Sequence, residues 1–308
     1  MVSSSVMALA LLLGGQASPP QTTQLQPDPQ PTEAQADLGE VTVLGRSLDS
    51  RVESFIEEVA APPKGVGLAR WHRDVCIGVA NLAQPYAQFV VDRVSEVALD
   101  LGLNTGEPGC KANVMIIFAN DASDVARRIV SEDPDGFRPA LQHTDLGRDA
   151  LDRFQNSDAP VRWWHVSLPV SADTGDLAIA LSSDDEPPSL TVRGSSRLRS
   201  GIRNDLARVI IIVDMTQLGE TRFSALADYL ALLSMAQINP DAEVSSEASI
   251  LSLFNSGTLQ DAMTDWDMNY LRSLYEAPGD RPNPAYQARE IGRVMVRSKQ
   301  AASDAGGD

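Results

Sequence analysis

The sequence predicts one α+β domain, in which helices pack on a mixed sheet and the C-terminal third is helical. Three observations predict it. Segments with helical and strand-like patterns alternate up to about Asp214, and mostly helical patterns follow. No fixed period of self-similarity runs through the chain, which argues against a repeat protein. No polar stretch after residue 45 is long enough to separate two domains, so residues 46–300 are assigned to one domain.

The first half of the domain alternates helices with strands. Residues 48–59 carry an apolar stripe with the period of a helix, and residues 84–101 carry a longer one that includes Phe89. Between them, residues 76–80 (CIGVA) form a short segment rich in β-forming residues. Residues 113–119 (NVMIIFA) are almost continuously apolar, which predicts a strand buried on both faces.

The second half begins with a capped helix and ends in helices. Asp121 is a typical N-cap for a helix that runs to about Val130. The segment from Phe223 to Ile238 is apolar nearly all round, which predicts a buried helix. The other predicted elements are a helix over residues 145–154, strands over 162–170 and 208–214, a short apolar segment over 249–254, and helices over 265–274 and 285–296.

The N-terminal residues predict export. Residues 6–15 form an apolar run of ten, which is too short to span the roughly 30 Å of a bilayer core but suits a signal peptide. Gly15 and Ala17 supply the small residues of a cleavage site, so residues 1–17 are predicted to be a signal peptide, although no Lys or Arg precedes the run. An uncleaved anchor or a buried helix is the alternative. The protein is then expected to be periplasmic or secreted.

Two further segments are predicted to be disordered. Residues 18–45 are assigned to a flexible linker, because residues 18–40 are rich in Pro, Gln and Thr and have almost no large apolar side chains. Residues 301–308 are small and polar, as is typical of a fraying tail. No later stretch is apolar enough to cross a bilayer, so no membrane span is expected.

Composition excludes some partners and bears on the two cysteines. With 308 residues, 43% of them apolar, the chain can bury a sizeable core. A formal net charge of −17 argues against binding to nucleic acids, because phosphate binding needs a surplus of Lys and Arg.

Cys76 and Cys110 most simply form a disulfide in an exported protein. The competing interpretation is a zinc site that combines both cysteines with His72.

Known catalytic motifs are absent from the sequence. It contains no G-x-S-x-G, no G-x-x-x-x-G-K, no G-x-G-x-x-G and no H-E-x-x-H. The three histidines, His72, His143 and His165, lie far apart, and nothing in their spacing predicts that they converge. No cofactor and no metal site are therefore predicted, and a non-catalytic protein is favoured over an enzyme. A hydrolase that assembles His72, His165 and an Asp from distant segments is the alternative.

Two groups of residues are candidates for binding. Arginines crowd one segment of this acidic chain, at Arg193, Arg197, Arg199, Arg203 and Arg208. Such a cluster favours an anion site, and the alternatives are pairing with the acidic residues 184–186 or a solvated loop. Arg162, Trp163 and Trp164 form a group capable of cation–π contacts, either as a binding face or as the anchors of a strand. The predicted contact residues are Arg197, Arg199, Arg203, Trp163 and Trp164.

The C-terminal part carries a further pattern. A buried helix (ALADYLALLSMAQINPDA, residues 225–242) leads to ASILSLF (248–254) and then to MTDWDMNYLRSLYEAP (263–278). This order resembles the end of zincin-type metallopeptidase domains, in which an H-E-x-x-H helix precedes a serine-isoleucine segment and a helix of form L-T-x-x-D-x-x-x-L-R-x-L-Y. Runs such as LARWHRDVCIGVANL (68–82) and PVRWWHVS (160–167) are also similar to a group of exported, uncharacterised alphaproteobacterial proteins.

The chain departs from the zincin pattern at the metal ligands. Ala227, Asp228 and Ala231 lie where zincins have His, Glu and His. Alanine cannot bind zinc, and a zincin needs two imidazoles four residues apart on one helix face. The resemblance therefore implies a scaffold that has lost its catalytic residues. Asp228 is either a carboxylate with a perturbed pKa in a site or a hydrogen-bonded structural residue.

We therefore expect an exported, non-catalytic binding or interaction protein on a degenerate zincin-like scaffold. Its partner would be a peptide, a protein or an anionic ligand, and a peptide could bind by strand addition to a sheet edge. A structural component of the cell envelope, tethered by an uncleaved N-terminus, is a further interpretation.

Overall fold

The computed structural model describes residues 46–184, 186, 188–189, 197, 199–244, 247–255 and 260–305. All of them belong to one compact unit. The predicted signal peptide and linker, together with Asp185 and Arg193, lie outside the described residues. The last helix runs to Ala305, into the segment predicted to be a disordered tail.

Helices and strands follow each other in the order that the sequence predicts. In the described part of the chain the helices are α1 (Leu48–Val59), α2 (Gln84–Asp100), α3 (Ala122–Glu132), α4 (Pro134–Phe137), α5 (Arg148–Asn156), α6 (Phe223–Met235), α7 (Asp265–Glu276) and α8 (Pro284–Ala305). The strands are β1 (Ile77–Ala80), β2 (Val114–Ala119), β3 (Val161–Ser171) and β4 (Ile202–Asp214). A short 3₁₀ turn at Ile250–Ser252 lies in the predicted apolar segment. Helix α4 has no counterpart in the prediction.

The described strands form one mixed sheet in the order β1-β2-β4-β3. Strands β1, β2 and β4 are parallel, whereas β3 is antiparallel to β4 and forms one edge. The two central strands, β2 and β4, contain continuous apolar runs, as suits strands that have neighbours on both edges and helices on both faces and so meet little water. The predicted α+β class with a mixed sheet is confirmed.

Helices cover both faces of this sheet. Helices α1, α2, α6, α7 and α8 build the larger core on one face, which buries Ile211 of β4 and Trp163 of β3. Helices α3, α4 and α5 build a smaller core on the other face, which buries Ile210 and Trp164. Successive side chains of a strand point to opposite faces. The adjacent tryptophans therefore belong to different cores.

The burial of the helices follows their sequences, with one exception. Every side chain of α6 from Ala225 to Met235 is buried, as its apolar sequence predicts. Phe89, predicted on the buried side of α2, is instead 45% exposed. The buried stripe of α2 runs through Val90 and Val94, so Phe89 lies beside it and packs against Phe223 at a ring-centroid distance of 5.7 Å.

Cys76 and Cys110 form a disulfide, with their Cα atoms 6.1 Å apart. The bond ties the residue before β1 to the loop that precedes β2. Because both sulfurs are used, the alternative zinc site with His72 is wrong.

Within the described residues, no helix is both long enough and apolar enough to cross a membrane.

Candidate functional site

The outer edge of β3 is covered over half of its length. The Asp214 N–H donates to the carbonyl of Pro160 at 2.8 Å, so the main-chain groups of the odd-numbered residues of β3 point away from β4. Neighbouring loops cover these groups at the C-terminal end of the strand. The covering bonds join Ser167 to Thr144 (2.8 Å), Pro169 to Ala178 (2.8 Å) and Ser171 to Asp176 (2.7 Å).

The N-terminal half of the same edge is open. In the part of the chain that the structure describes, the outward main-chain groups of Val161, Trp163 and His165 have no hydrogen-bond partner. An unpaired strand edge is a template for pairing with another strand, and proteins normally cover such edges. The opening is therefore a local feature, since the loop at Thr144 covers the strand from Ser167 onwards.

A cleft of about 280 Å³ runs along the open half. Its floor is β3 between Val161 and Trp164. One wall is helix α5 with the residues that lead into it, and the other is the segment that follows α6. The first wall includes Leu146, Ala150 and Phe154, and the second includes Pro240 and Asp241.

Arg162 fixes α5 against β3. It is 4% exposed, and its guanidinium donates to the carbonyls of Phe154 (3.2 Å) and Gln155 (3.3 Å) at the end of the helix. It also donates to the Ser157 carbonyl and to the Ser123 hydroxyl (2.9 Å). A cation is favourable there because the last carbonyls of a helix carry negative charge. Burial lowers the pKa of Arg162, but a guanidinium stays charged at neutral pH.

Trp163 and Trp164 line the cleft without presenting exposed rings to it. Both side chains are buried, and their indole N–H groups donate to the carbonyls of Ile238 (2.9 Å) and Phe137 (2.8 Å). The predicted cation–π group is not formed, because α5 holds the guanidinium of Arg162. A ligand at the strand edge would meet the outward main-chain groups of Trp163, whereas those of Trp164 point to β4.

An ion pair joins the two walls across the mouth of the cleft. Arg153 of α5 lies 3.7 Å from Asp241, and the two side chains are 61% and 69% exposed. Such exposed pairs contribute little to stability, because water screens the charges and long side chains lose freedom when they pair. The ion pair therefore lies across the mouth of the cleft but contributes too little energy to hold it closed.

The predicted arginine cluster does not reach the cleft. Arg203 lies opposite Val170 in the ladder, seven residues along β3 from Trp163, which is about 23 Å at the usual rise per residue. Arg197 is exposed, and Arg199 is paired with Asp280 at 2.6 Å. The five predicted contact residues are therefore not brought together in one site.

Three arginines of this segment, Arg199, Arg203 and Arg208, pair within the molecule, as the alternative interpretation proposed, but with Asp280, Asp205 and Asp133 rather than with the predicted acidic residues. Arg203 donates to both carboxylate oxygens of Asp205, at 2.9 and 3.2 Å. Arg208 pairs with Asp133 at 2.5 Å. These arginines thus have structural partners. Nothing in their geometry points to an external anion.

A polar cluster that sequence reasoning missed lies at the covered end of β3. His72 Nδ1 is 2.8 Å from Asp205 Oδ1, and Arg70 Nε is 3.3 Å from His72 Nε2. Arg70 also donates to the carbonyls of Leu274 (2.9 Å), Tyr275 (2.6 Å) and Ala277 (2.7 Å) at the end of α7. Asp205 lies more than 100 residues from His72 in the sequence, so no local pattern could have indicated the pair.

The pKa values of this cluster fit a structural role. Burial acts to raise the pKa of Asp205, but hydrogen bonds from His72 and Arg203 more than offset it, so the pKa lies below its ordinary value. Burial lowers the pKa of Arg70. Because Arg70 donates to His72 Nε2, the proton of a neutral His72 lies on Nδ1 and faces Asp205.

The other two histidines lie apart from this cluster. His165 is buried, and its Nε2 donates to the Leu233 carbonyl at 2.8 Å; burial lowers its pKa to about 4, so it is neutral at pH 7. His143 Nδ1 lies 3.0 Å from the Lys64 carbonyl. Among the described residues, no hydroxyl or thiol is bonded to a histidine, and no group of three His, Cys, Asp or Glu side chains could hold a metal.

Asp228 is a structural carboxylate. It is 8% exposed, forms an ion pair with Arg93 of α2, and accepts the Met263 N–H at 2.7 Å. It therefore links α6 to α2 and to the segment before α7. Ala227 and Ala231 are fully buried in the same helix.

Neither protein-family models nor curated proteins nor solved structures give a match to this chain. The resemblance to zincins remains a prediction. Function is inferred from the geometry of the chain itself.

Proposed function

We propose that the protein is a non-catalytic binding protein that holds an extended peptide of a partner by strand addition to the open edge of β3. The observation that carries this proposal is the set of unpaired outward main-chain groups at Val161, Trp163 and His165, on and beside the floor of a cleft. Such groups bond to the main chain of a peptide, and the walls of the cleft contact its side chains.

The scaffold supports binding without hydrolysis. The zincin pattern would place its metal ligands on α6, at the positions of Ala227 and Ala231, which supply no donor atom. Asp228 is bonded to Arg93 and to the Met263 N–H. A zincin-like scaffold without its metal would keep a groove for extended peptides. The disulfide supports an exported protein, periplasmic or secreted.

Amide hydrogen exchange, followed residue by residue with NMR, tests the proposal. The probes are short peptides selected on the protein from a displayed random library. We expect a bound peptide to slow exchange at the outward amides of Val161, Trp163 and His165. The amides of Arg162 and Trp164 already point to β4, so their exchange should change little. This alternation distinguishes strand addition from contact through side chains alone.

A matched pair of variants locates the binding. Ala159 lines the cleft, so Ala159→Trp should block it and abolish the protection. Ala172 is half-buried like Ala159 but follows the covered end of β3, so Ala172→Trp should bind peptides as the unmodified protein does. Peptides that bind without slowing the three outward amides, or that bind equally well to Ala159→Trp, would refute the proposal.

A further inference from the structure

The wall formed by α5 presents apolar side chains to the cleft. Side chains of an added strand alternate between the two faces of the sheet, so every second side chain of a bound peptide would point towards α5. There it would meet Leu146, Ala150 and Phe154. Ala150 carries a single methyl group, which leaves room beside it. With about 280 Å³ in the whole cleft, slightly below the usual size of ligand pockets, the wall accommodates one aliphatic side chain.

The rim of the cleft carries unpaired negative charge. Asp152 of α5 lines the cleft, and Asp158 lies in the turn before β3; both are exposed, and neither has an ion-pair partner among the described residues. Three positive side chains lie nearby, and each is bonded within the protein; Arg127 donates to Asn156 at 3.4 Å. Arg153 pairs with Asp241, and Arg162 donates to the end of α5. Charge complementarity therefore favours a basic side chain on the ligand.

We infer that the cleft selects an extended peptide in which one aliphatic side chain lies close to a lysine or arginine. The aliphatic side chain packs on Ala150 and Phe154, and the basic one lies beside Asp152 or Asp158. This inference rests on the proposed function, because it specifies the peptide that the open edge binds. Main-chain bonds to β3 give general affinity, and these two side chains give the selection.

A positional peptide library tests the selection. Short displayed peptides with every natural residue at each position are selected on the intact protein at low salt. We expect Leu, Ile, Val or Met to be enriched at one position and Lys or Arg at another. Replacing the aliphatic residue with Ala should weaken binding about tenfold, as expected for a buried aliphatic side chain. Replacing the basic residue should weaken it about threefold, with a loss that shrinks at high salt.

Variants of the protein assign each preference to a wall. Ala150→Leu fills the space beside α5, so it should move the preference at the aliphatic position to Ala or Gly. Leu146→Asp changes a side chain that is already 37% exposed, so it leaves folding intact and should reduce the aliphatic preference. Asp152→Asn combined with Asp158→Asn should remove the preference for Lys and Arg.

The outcomes separate the inference from the proposed function. If selected peptides protect the outward amides of β3 but show no aliphatic or basic preference, strand addition is right and the inference is wrong. Preferences that persist unchanged in Ala150→Leu and in the double Asn variant also overturn it. If no peptide protects the outward amides, the proposed function fails and the inference fails with it.

Discussion

The two ends of β3 differ in how they satisfy their polar groups. Near Ser171 the outward main chain is bonded to adjacent loops, and the charges around it are paired, as Arg203 is with Asp205. Near Val161 the outward main chain of the same strand faces a cleft without partners. The arginine cluster in the sequence indicates a binding site at the end near Ser171, yet the end near Val161 has the geometry of a site.

The difference indicates what kind of group is available to a ligand. An unpaired donor or acceptor that is shielded from water costs about 1–3 kcal/mol, so folded proteins leave few of them. At the covered end the chain satisfies its charges internally, and a ligand would have to break these bonds. At the open end a peptide adds bonds and breaks few. Charge clusters in a sequence are therefore weaker indicators of binding than unpaired main chain in a structure.

The largest expected effect is at the covered end, with Arg70→Met. Arg70 donates to three carbonyls at the end of α7 and to His72. Removing the guanidinium leaves those carbonyls without a donor, and we expect the free energy of unfolding to fall by about 4 kcal/mol. Urea unfolding monitored by circular dichroism measures it.

Arg73→Met is the matched control for this prediction. Arg73 follows His72 in the chain, but its guanidinium donates to one carbonyl, that of Ala207. We expect a loss below about 1 kcal/mol for this variant. Equal losses in the free energy of unfolding for Arg70→Met and Arg73→Met would show that the bonds of Arg70 do not make the covered end more stable than its surroundings.

The next effect concerns His165, which lies where the open and covered halves of β3 meet. Its pKa falls from 6.5 to about 4 in the folded protein because it is buried. Between pH 6.5 and pH 4 the unfolded chain binds a proton that the folded protein does not, so stability falls as the pH falls through this window. The loss from this group is about 3 kcal/mol at pH 4 and absent at pH 7.5.

His165→Gln removes this titration while it retains a polar side chain. Urea unfolding at several pH values should show a shallower loss of stability below pH 6.5 in the variant. His143→Gln serves as the control, since it removes a histidine from a loop and should leave the loss in place. An equal slope for His165→Gln and the unmodified protein would show that His165 is not shielded from solvent.

The sequence predicts the elements of this fold well and their contacts poorly. The apolar period of residues 48–59 predicted helix α1 and the continuous apolar run of residues 113–119 predicted strand β2, because such patterns depend on one segment alone. The edge position of β3 follows from its pairing with β4, whose residues lie some 40 positions further along the chain. No local pattern encodes which side of a strand remains unpaired.

The candidate site was predicted only in part. Trp163 and Trp164 were placed correctly on a strand, but the face that each ring takes depends on the helices above and below the sheet. Asp228 pairs with Arg93, 135 residues away, so its role could not be decided from α6 alone. Arg162 follows the end of α5 by only six residues. This short distance in the sequence is the local signal that could have indicated that Arg162 caps the helix.

A smaller effect is expected at the open end, with Arg162→Met. The guanidinium donates to the end of α5, but its Nε is buried without a partner, which reduces its net contribution. We expect the free energy of unfolding to fall by about 2 kcal/mol. Amide exchange in α5 should also become faster, because the helix loses its attachment to β3.

Arg127→Met is the control for α5. Arg127 contacts the same end of the helix, through one long bond to Asn156 at 3.4 Å. We expect a loss below about 0.5 kcal/mol and unchanged exchange in α5. Equal losses in the two variants would show that the α5 wall does not depend on Arg162.

The smallest expected effect is that of the Arg153–Asp241 ion pair, measured by a double-mutant cycle with Arg153→Gln and Asp241→Asn. The pair is long, at 3.7 Å, and both side chains are mostly in water, so we expect a coupling of about 0.3 kcal/mol or less, decreasing with salt. Urea unfolding of the four proteins measures it. A coupling above about 1 kcal/mol would mean that the mouth is held shut. The open edge of β3 would then be as inaccessible as its covered end, and the contrast between the two ends would lose its functional meaning.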